Sequence, residues 1–238
     1  GDSVFKIINE NYGKLKVVAA TCNTNYKKLE KLKIKYSIEK LGINNYKSAE
    51  KYKSLYSTNN KKLVVGNENF SKLITKDIDV IILAISGLSA LNISYEIAKS
   101  GKIFGLANKE CIISLGPRLI SVAKRNKTKI IPLDSEHNSI YRLLESNKNK
   151  FKSITITASG GPFFNKNISF LKNVTPNQAI KHPIWKMGKK ISVDSATMVN
   201  KALEIIEAKY LFDLNSDQIN AIIHPESIIH AAINFYDN

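Results

Sequence analysis

An α/β fold, with a doubly wound parallel sheet in its first half and an α+β arrangement in its second, is predicted by three observations. Short apolar runs rich in β-branched residues alternate with helical patterns up to residue 133. Asp79–Ser86 (DVIILAIS) is apolar without alternation, as a strand covered on both faces requires. Beyond Leu133 the rhythm changes to one alternating strand, a long polar stretch and one long helix.

Asp2–Ile8 carries apolar residues at 4, 5, 7 and 8, the spacing of one helical face. Lys16–Thr21 (KVVAAT) reads as a buried strand, Tyr26–Lys35 as a helix, Lys62–Gly66 (KLVVG) as a strand and Asn69–Thr75 as a short helix. A helix over Ser89–Lys99, a strand at Lys102–Leu106 and a helix over Lys109–Lys124 follow, the last interrupted by Gly116-Pro117. A strand at Lys129–Leu133 closes the half. Strands separated by helices imply right-handed crossovers and a parallel sheet, so residues 1–125 read as a Rossmann-like dinucleotide-binding domain. Residues 126–238 read as an α+β catalytic domain. Within it, Lys152–Ala158 alternates like a half-exposed strand, and Gly160–Lys190 is polar and carries the single Trp185. Thr197–Phe212 reads as a helix, and Ile219–Ile223 and Ile228–Phe235 as strands. The chain opens on Gly1 with no strand before it and stops just after an apolar run, so an internal piece of a longer protein is expected.

Composition narrows the function. With 43% apolar residues the 238-residue chain is not disordered. The formal charge is +16, yet only three basic residues are Arg (Arg118, Arg125, Arg142) and the lysines are spread along the chain. A nucleic-acid reader clusters Arg with aromatics, so no nucleic-acid partner is expected. A positive field that attracts anionic, phosphorylated substrates fits better. No apolar run reaches the ~18 residues of a membrane span, and no signal segment opens the chain. Cys22 and Cys111 cannot build a disulfide framework, which suits a reducing compartment.

Four places can carry chemistry. Gly1 stands where a Gly-rich phosphate turn would end, and the strand at 16–21 runs into Cys22-Asn23-Thr24-Asn25 with Lys27 and Lys28 beyond. An acid at such a strand end would favour a ribose 2′-hydroxyl; polar and basic residues favour a 2′-phosphate, hence NADP over NAD. Asp134-Ser135-Glu136-His137 follows a strand, where parallel sheets place active sites. In extended chain Asp134 and Glu136 share a face, and paired carboxylates suit Mg²⁺ or Mn²⁺; a polar loop with a helix cap explains the tetrapeptide equally well. Asn200, Lys201 and Glu204 put an amide, an ammonium and a carboxylate on one side of a helix, either a third metal ligand with substrate anchors or an exposed polar face. Asp194–Thr197 would then lie at that helix's N-terminus, where a phosphate docks. Finally, His182–Gly188 holds a Trp in a stretch too polar for core, which suggests a lid or a local anchor for a long loop.

Taken together, Ala107–Glu110 (ANKE), Pro132–His137 (PLDSEH), Ala158–Phe163 (ASGGPF), His182–Gly188 (HPIWKMG), Lys190–Met198 (KISVDSATM), Asn200-Lys201 and His224–His230 (HPESIIH) resemble the 1-deoxy-D-xylulose 5-phosphate reductoisomerases, in order over essentially the whole chain. The resemblance implies conversion of 1-deoxy-D-xylulose 5-phosphate to 2-C-methyl-D-erythritol 4-phosphate, an early step of non-mevalonate isoprenoid biosynthesis. NADPH and one Mg²⁺ or Mn²⁺ would be cofactors, and a homodimer the assembly. A bacterial cytoplasm or a plastid-type organelle would be the compartment. By motif position it implies Asp134, Glu136 and Glu204 as metal ligands and Lys109, Glu136, His182 and His230 as catalytic residues. Substrate contacts would come from Ser135, Ser159, His182, Trp185, Ser195, Asn200 and Lys201, with Met187 in the closing loop. Cofactor contacts would come from Gly1, Asn23, Thr24, Asn25, Asn108, Glu110 and Gly188. Departures are the missing first strand and Gly-rich turn, the missing C-terminal helical domain, Ala202 for a Gly and Cys111 for a Ser. A chain so shortened could be inactive alone. The competing readings are another Rossmann-fold NADP-dependent dehydrogenase, which would need a nucleophilic Cys or Lys/Asp catalysis, and a basic binding module without catalysis.

Overall fold

The computed structural model describes residues 1–11, 13–56, 63–147, 149–184 and 188–236. The chain is an α/β protein with parallel sheets, as the sequence predicts, and divides into two compact units. One holds Gly1–Asn108 with Ser121–Ile130, the other Lys109–Ile120 with Ile131–Asn238.

In the first unit α1 (Asp2–Glu10) precedes β1 (Ala19–Cys22), α2 (Tyr26–Tyr36), β2 (Lys40–Ile43), α3 (Tyr46–Tyr56) and β3 (Leu63–Val65). The three strands form a parallel sheet in the order β1-β2-β3, with Ala19 opposite Lys40 and Leu41 opposite Leu63. Asn25 starts α2 by accepting the backbone N–H of Lys28 at 3.1 Å, a side-chain N-cap. The sequence reading missed β2 and α3. KLGI is four residues long with a glycine inside, and α3 is largely polar, so local pattern is weak. Tertiary burial decides instead: Leu41, Ile43, Ala49 and Tyr52 close one core with Leu29 and Ile38.

Gly42 in β2 is a close-approach position. A Cβ there would lie 2.8 Å from both the Phe70 ring and the Thr21 methyl. Gly42→Ala is therefore expected to destabilise this unit by about 1–3 kcal/mol through overpacking, read as a lowered urea midpoint.

A second sheet has the order β4-β5-β6, built from β4 (Val80–Leu83), β5 (Ile103–Leu106) and β6 (Lys129–Pro132), with α4 (Leu91–Ala98) and α5 (Lys109–Arg125) as crossovers. Two expectations are corrected here. The strand ends at Leu83 rather than Ser86, and the Ile85 carbonyl accepts the Asn108 side-chain amide at 2.6 Å. Nor is it covered on both faces, since Val80 and Ile82 are exposed. The predicted break in α5 is present: Gly116 is non-helical (φ 41°), Pro117 follows, and a Cβ at Gly116 would stand 3.2 Å from the Tyr210 ring.

The second unit continues with α6 (Ser135–Ser146), β7 (Phe151–Ala158), α7 (Ile168–Leu171), α8 (Pro176–Ala179), α9 (Lys189–Ala196), α10 (Val199–Phe212), β8 (Ile219–Ile223) and β9 (Ala231–Phe235). Its sheet has the order β8-β7-β9, with β7 parallel to β8 and antiparallel to β9. Ile140, Ile154, Ile156, Ala208, Leu214 and Ile219 form the core that packs α6 and α10 on this sheet. Among the described residues no helix is long and apolar enough to cross a membrane.

Candidate active site

The site is built where α6 and α10 begin. Asp134 is extended (φ -73°, ψ 160°) and is the N-cap of α6, as the helix-cap reading has it, and its Oδ1 accepts the backbone N–H of His137 at 3.0 Å. Glu136 lies in the first helical turn, so the expected two-residue alternation does not apply. Helix geometry replaces it, and both carboxylates still line one cavity of about 370 Å³. A second correction concerns Asp194–Thr197. These residues end α9 rather than begin the next helix, and α10 starts after Met198, which sits in the left-handed region (φ 63°). These residues therefore form no helix N-terminus for a phosphate, and the Ser195 hydroxyl donates back to the Ile191 carbonyl at 2.8 Å.

Glu204, 2% exposed, is the hub. Its Oε1 accepts Lys109 Nζ at 3.0 Å and the Asn200 amide at 2.5 Å, and its Oε2 pairs with Lys201 Nζ. Lys201 Nζ also meets Glu136 Oε1 at 2.8 Å, and Lys109 Nζ meets Asn200 Oδ1 at 2.7 Å. The Ser135 hydroxyl donates to Glu136 Oε2 at 2.7 Å. Burial pulls the Lys109 ammonium down, but the charges of Glu204 and Asp134 and the Glu204 hydrogen bond together outweigh it and hold it above the ordinary lysine value. Thus Asp134, Glu136 and Glu204 face one cavity with two ammonium groups among them. Such an oxygen set suits a hard divalent cation by its donor chemistry, and the Lys201 ammonium, shared by two of the three carboxylates, places positive charge between them.

Sequence reasoning missed a layer behind these carboxylates. His137, fully buried, bridges Asp134 and α10: its Nδ1 is 2.6 Å from Asp134 Oδ1 and its Nε2 is 2.9 Å from the Glu204 carbonyl. Burial disfavours the imidazolium, but the Asp134 charge and hydrogen bond win and lift His137 to about 9. Burial also opposes the Asp134 charge, yet His137 and Lys109 hold it well below the usual carboxylate range. Asp134, His137 and Glu207 place ligand-type atoms within 4.8 Å of one another, tighter than any other such group among the described residues. His137 and Glu207 do not line the cavity; Asp134 belongs to both sets. The signal was present, since His137 follows the capping Asp134 by three residues and Glu207 follows Glu204 by three, on the same helical faces.

On another wall of the cavity, Ser159 meets His182 Nε2 at 2.8 Å. His182 Nδ1 accepts the backbone N–H of Ile184 at 3.2 Å, so the ring proton is on Nε2 and donates to Ser159. The N–H of Gly161 also donates to that hydroxyl at 3.3 Å. With both lone pairs of Oγ taken, the Ser159 proton is left to donate. Burial lowers His182 below its ordinary value, keeping it neutral at pH 7. His230 and Ser195 line the same cavity. Trp185 and Met187, the expected lid residues, lie outside the described residues.

The expected cofactor residues are spread over both units. Gly1, Asn23, Thr24, Asn25 and Asn108 lie in the first, Glu110 and Gly188 in the second. Gly1 precedes α1 and Gly188 precedes α9 as N-caps. Asn23 Oδ1 accepts the Asn44 amide at 3.0 Å, and Lys28 pairs with Asp2. Asn108 donates to the Ile85 and Gly87 carbonyls, and Glu110 pairs with Lys190 at 2.9 Å. Cys22 offers no nucleophile, because burial pushes its thiol up to about 11, and Cys111 is fully buried in α5. The thiol-dependent dehydrogenase reading loses its residue.

The family model described as 1-deoxy-D-xylulose 5-phosphate reductoisomerase matches residues 1–116, and that of the reductoisomerase C-terminal domain matches residues 130–212. The chain is 38% identical over 241 residues to a 1-deoxy-D-xylulose 5-phosphate reductoisomerase of Clostridium novyi, covering 100% of this chain and 63% of the relative. It is 40% identical to that of Ehrlichia canis, with 100% of this chain and 62% of the relative covered. It superposes with a TM-score of 0.92 and 33% identity on a solved DOX-P reductoisomerase in complex with NADPH, fosmidomycin and magnesium, covering 100% of this chain and 62% of that one. The chain therefore spans under two thirds of the length of these relatives. In sequence, in fold and in the order of its motifs, the chain belongs to the 1-deoxy-D-xylulose 5-phosphate reductoisomerase family.

Proposed function

We propose that this chain carries the nucleotide-binding and metal-binding parts of an NADPH- and divalent-metal-dependent reductoisomerase. It converts 1-deoxy-D-xylulose 5-phosphate to 2-C-methyl-D-erythritol 4-phosphate in non-mevalonate isoprenoid synthesis, acting as a homodimer in a bacterial cytoplasm or a plastid-type organelle. The observation that carries the reading is the convergence of Asp134, Glu136 and Glu204 on one cavity with Lys109, Asn200 and Lys201. It is supported by the solved relative described in complex with NADPH and magnesium.

Asp134, Glu136 and Glu204 would hold Mg²⁺ or Mn²⁺. When bound, the cation supplies Lewis-acid polarisation of a ketone oxygen and NADPH supplies the hydride. The chain's own residues orient the substrate. Lys109, Asn200 and Lys201 present ammonium and amide groups to its hydroxyls. Ser135, Ser159, Ser195 and neutral His182 add hydroxyl and imidazole groups, with His230 on the same wall. Phosphate held away from the reacting carbons contributes binding energy to closure, in which Trp185 takes part. Gly1, Asn23, Thr24, Asn25, Asn108, Glu110 and Gly188 contact the nucleotide. The turn after β1 presents asparagines and a threonine rather than an acid, which suits a 2′-phosphate.

The test is NADPH absorbance in the full-length protein given 1-deoxy-D-xylulose 5-phosphate and Mn²⁺. NADPH is consumed, and chelating the metal stops consumption. A steady absorbance with substrate and metal both present sinks the reading.

A further inference from the structure

We infer that Glu207 is a positioning residue for the proposed metal ligand Asp134, acting through the His137 ring. The inference rests on the metal-binding reading above. The His137 Nε2 faces the Glu204 carbonyl at 2.9 Å, and a carbonyl only accepts, so Nε2 carries a proton. Its Nδ1 faces Asp134 Oδ1 at 2.6 Å, and donation there fixes the rotation of the carboxylate whose other oxygen is left for the cavity. The ring face is stacked on Phe212, with centroids 6.2 Å apart and planes 15° apart. Glu207 Oε2 stands 3.6 Å from the same Nδ1, beyond hydrogen-bond range, and has no hydrogen-bond partner among the described residues. Glu207 is 3% exposed.

A carboxyl oxygen buried without a hydrogen-bond partner is costly and is seldom kept without a role. Its placement supplies one. Glu204 and Glu207 are three residues apart on α10, so one helix flanks the ring at both edges, by a carbonyl in hydrogen-bond range of Nε2 and a carboxyl 3.6 Å from Nδ1. The ring in turn holds Asp134. Burial raises the Glu207 carboxyl above the ordinary carboxylate value, with His137 opposing. Groups that orient a metal ligand from behind typically change metal affinity when removed.

Mn²⁺ binding, followed by the loss of the free-ion electron paramagnetic resonance signal, tests this on the full-length protein without substrate. Glu207→Leu, which keeps the bulk and removes the acceptor, is expected to weaken Mn²⁺ binding by ~10–100-fold with unchanged circular dichroism. Glu207→Gln, which keeps an acceptor oxygen, loses less. If Glu207→Leu does not fold, Glu207→Asp decides instead, because it withdraws the carboxyl from Nδ1: weaker binding supports the assignment and parental binding overturns it. Parental affinity in a folded Glu207→Leu likewise overturns it, with the metal reading intact. A parent protein that leaves the Mn²⁺ signal untouched overturns the metal reading and this inference together.

Discussion

Glu136→Gln is expected to lower NADPH consumption by about 10³-fold or more while the protein stays folded. The two outcomes separate because of how the charges are shared. Lys201 Nζ is held by both Glu136 and Glu204, so neutralising Glu136 leaves that buried ammonium a carboxylate partner. The Ser135 hydroxyl can still donate to the amide oxygen that replaces Glu136 Oε2. The stability loss is that of a weakened hydrogen bond, about 1 kcal/mol. What is removed is one of three anionic oxygen donors facing the cavity. Parallel assays of NADPH consumption and urea unfolding check the pair of outcomes, and a variant that keeps parental turnover removes Glu136 from the metal set.

Glu204→Gln is expected to cost both activity and stability. Glu204 is the only carboxylate within ion-pair distance of Lys109 among the described residues, and the Lys109 side chain is 10% exposed. Without it the ammonium keeps amide oxygens but no carboxylate within ion-pair distance. Breaking a buried pair by removing one partner costs 3–5 kcal/mol, and the surviving acceptors place this case near the lower end, at about 3 kcal/mol. The urea transition of the second unit should move to clearly lower denaturant, with turnover lost under conditions where the variant is still folded. A variant as stable as the parent would mean that Lys109 is solvated in solution and that the hub does not form.

How legible was this in the sequence? The crossovers of the first unit were, because Lys102–Leu106 and Tyr26–Lys35 carry their burial pattern in their own residues. So was the break at Gly116-Pro117, which is a covalent property of the two residues. β2 and α3 were not, since KLGI and a lysine-rich helix become a strand and a helix only when Tyr52 and Leu41 meet a core contributed from elsewhere. The Asp134-Ser135-Glu136-His137 motif shows both sides. Its residue types pointed to a carboxylate site, but the geometry argued for it, an extended chain with alternating faces, was replaced by a helix cap.

Local sequence thus determined which groups this protein has, roughly where its strands run, and which family it joins, since residue identity and short-range periodicity are written directly in the chain. The tertiary structure alone decided which groups meet. Lys109, Glu136, Lys201 and Glu204 form one charge network although 95 positions separate the ends of its longest hydrogen bond. A buried histidine from the first turn of α6 and a buried acid from the middle of α10 stand behind Asp134, where the folded chain excludes water. Pairing across such distances follows from burial and electrostatics in the folded chain, which no local pattern encodes.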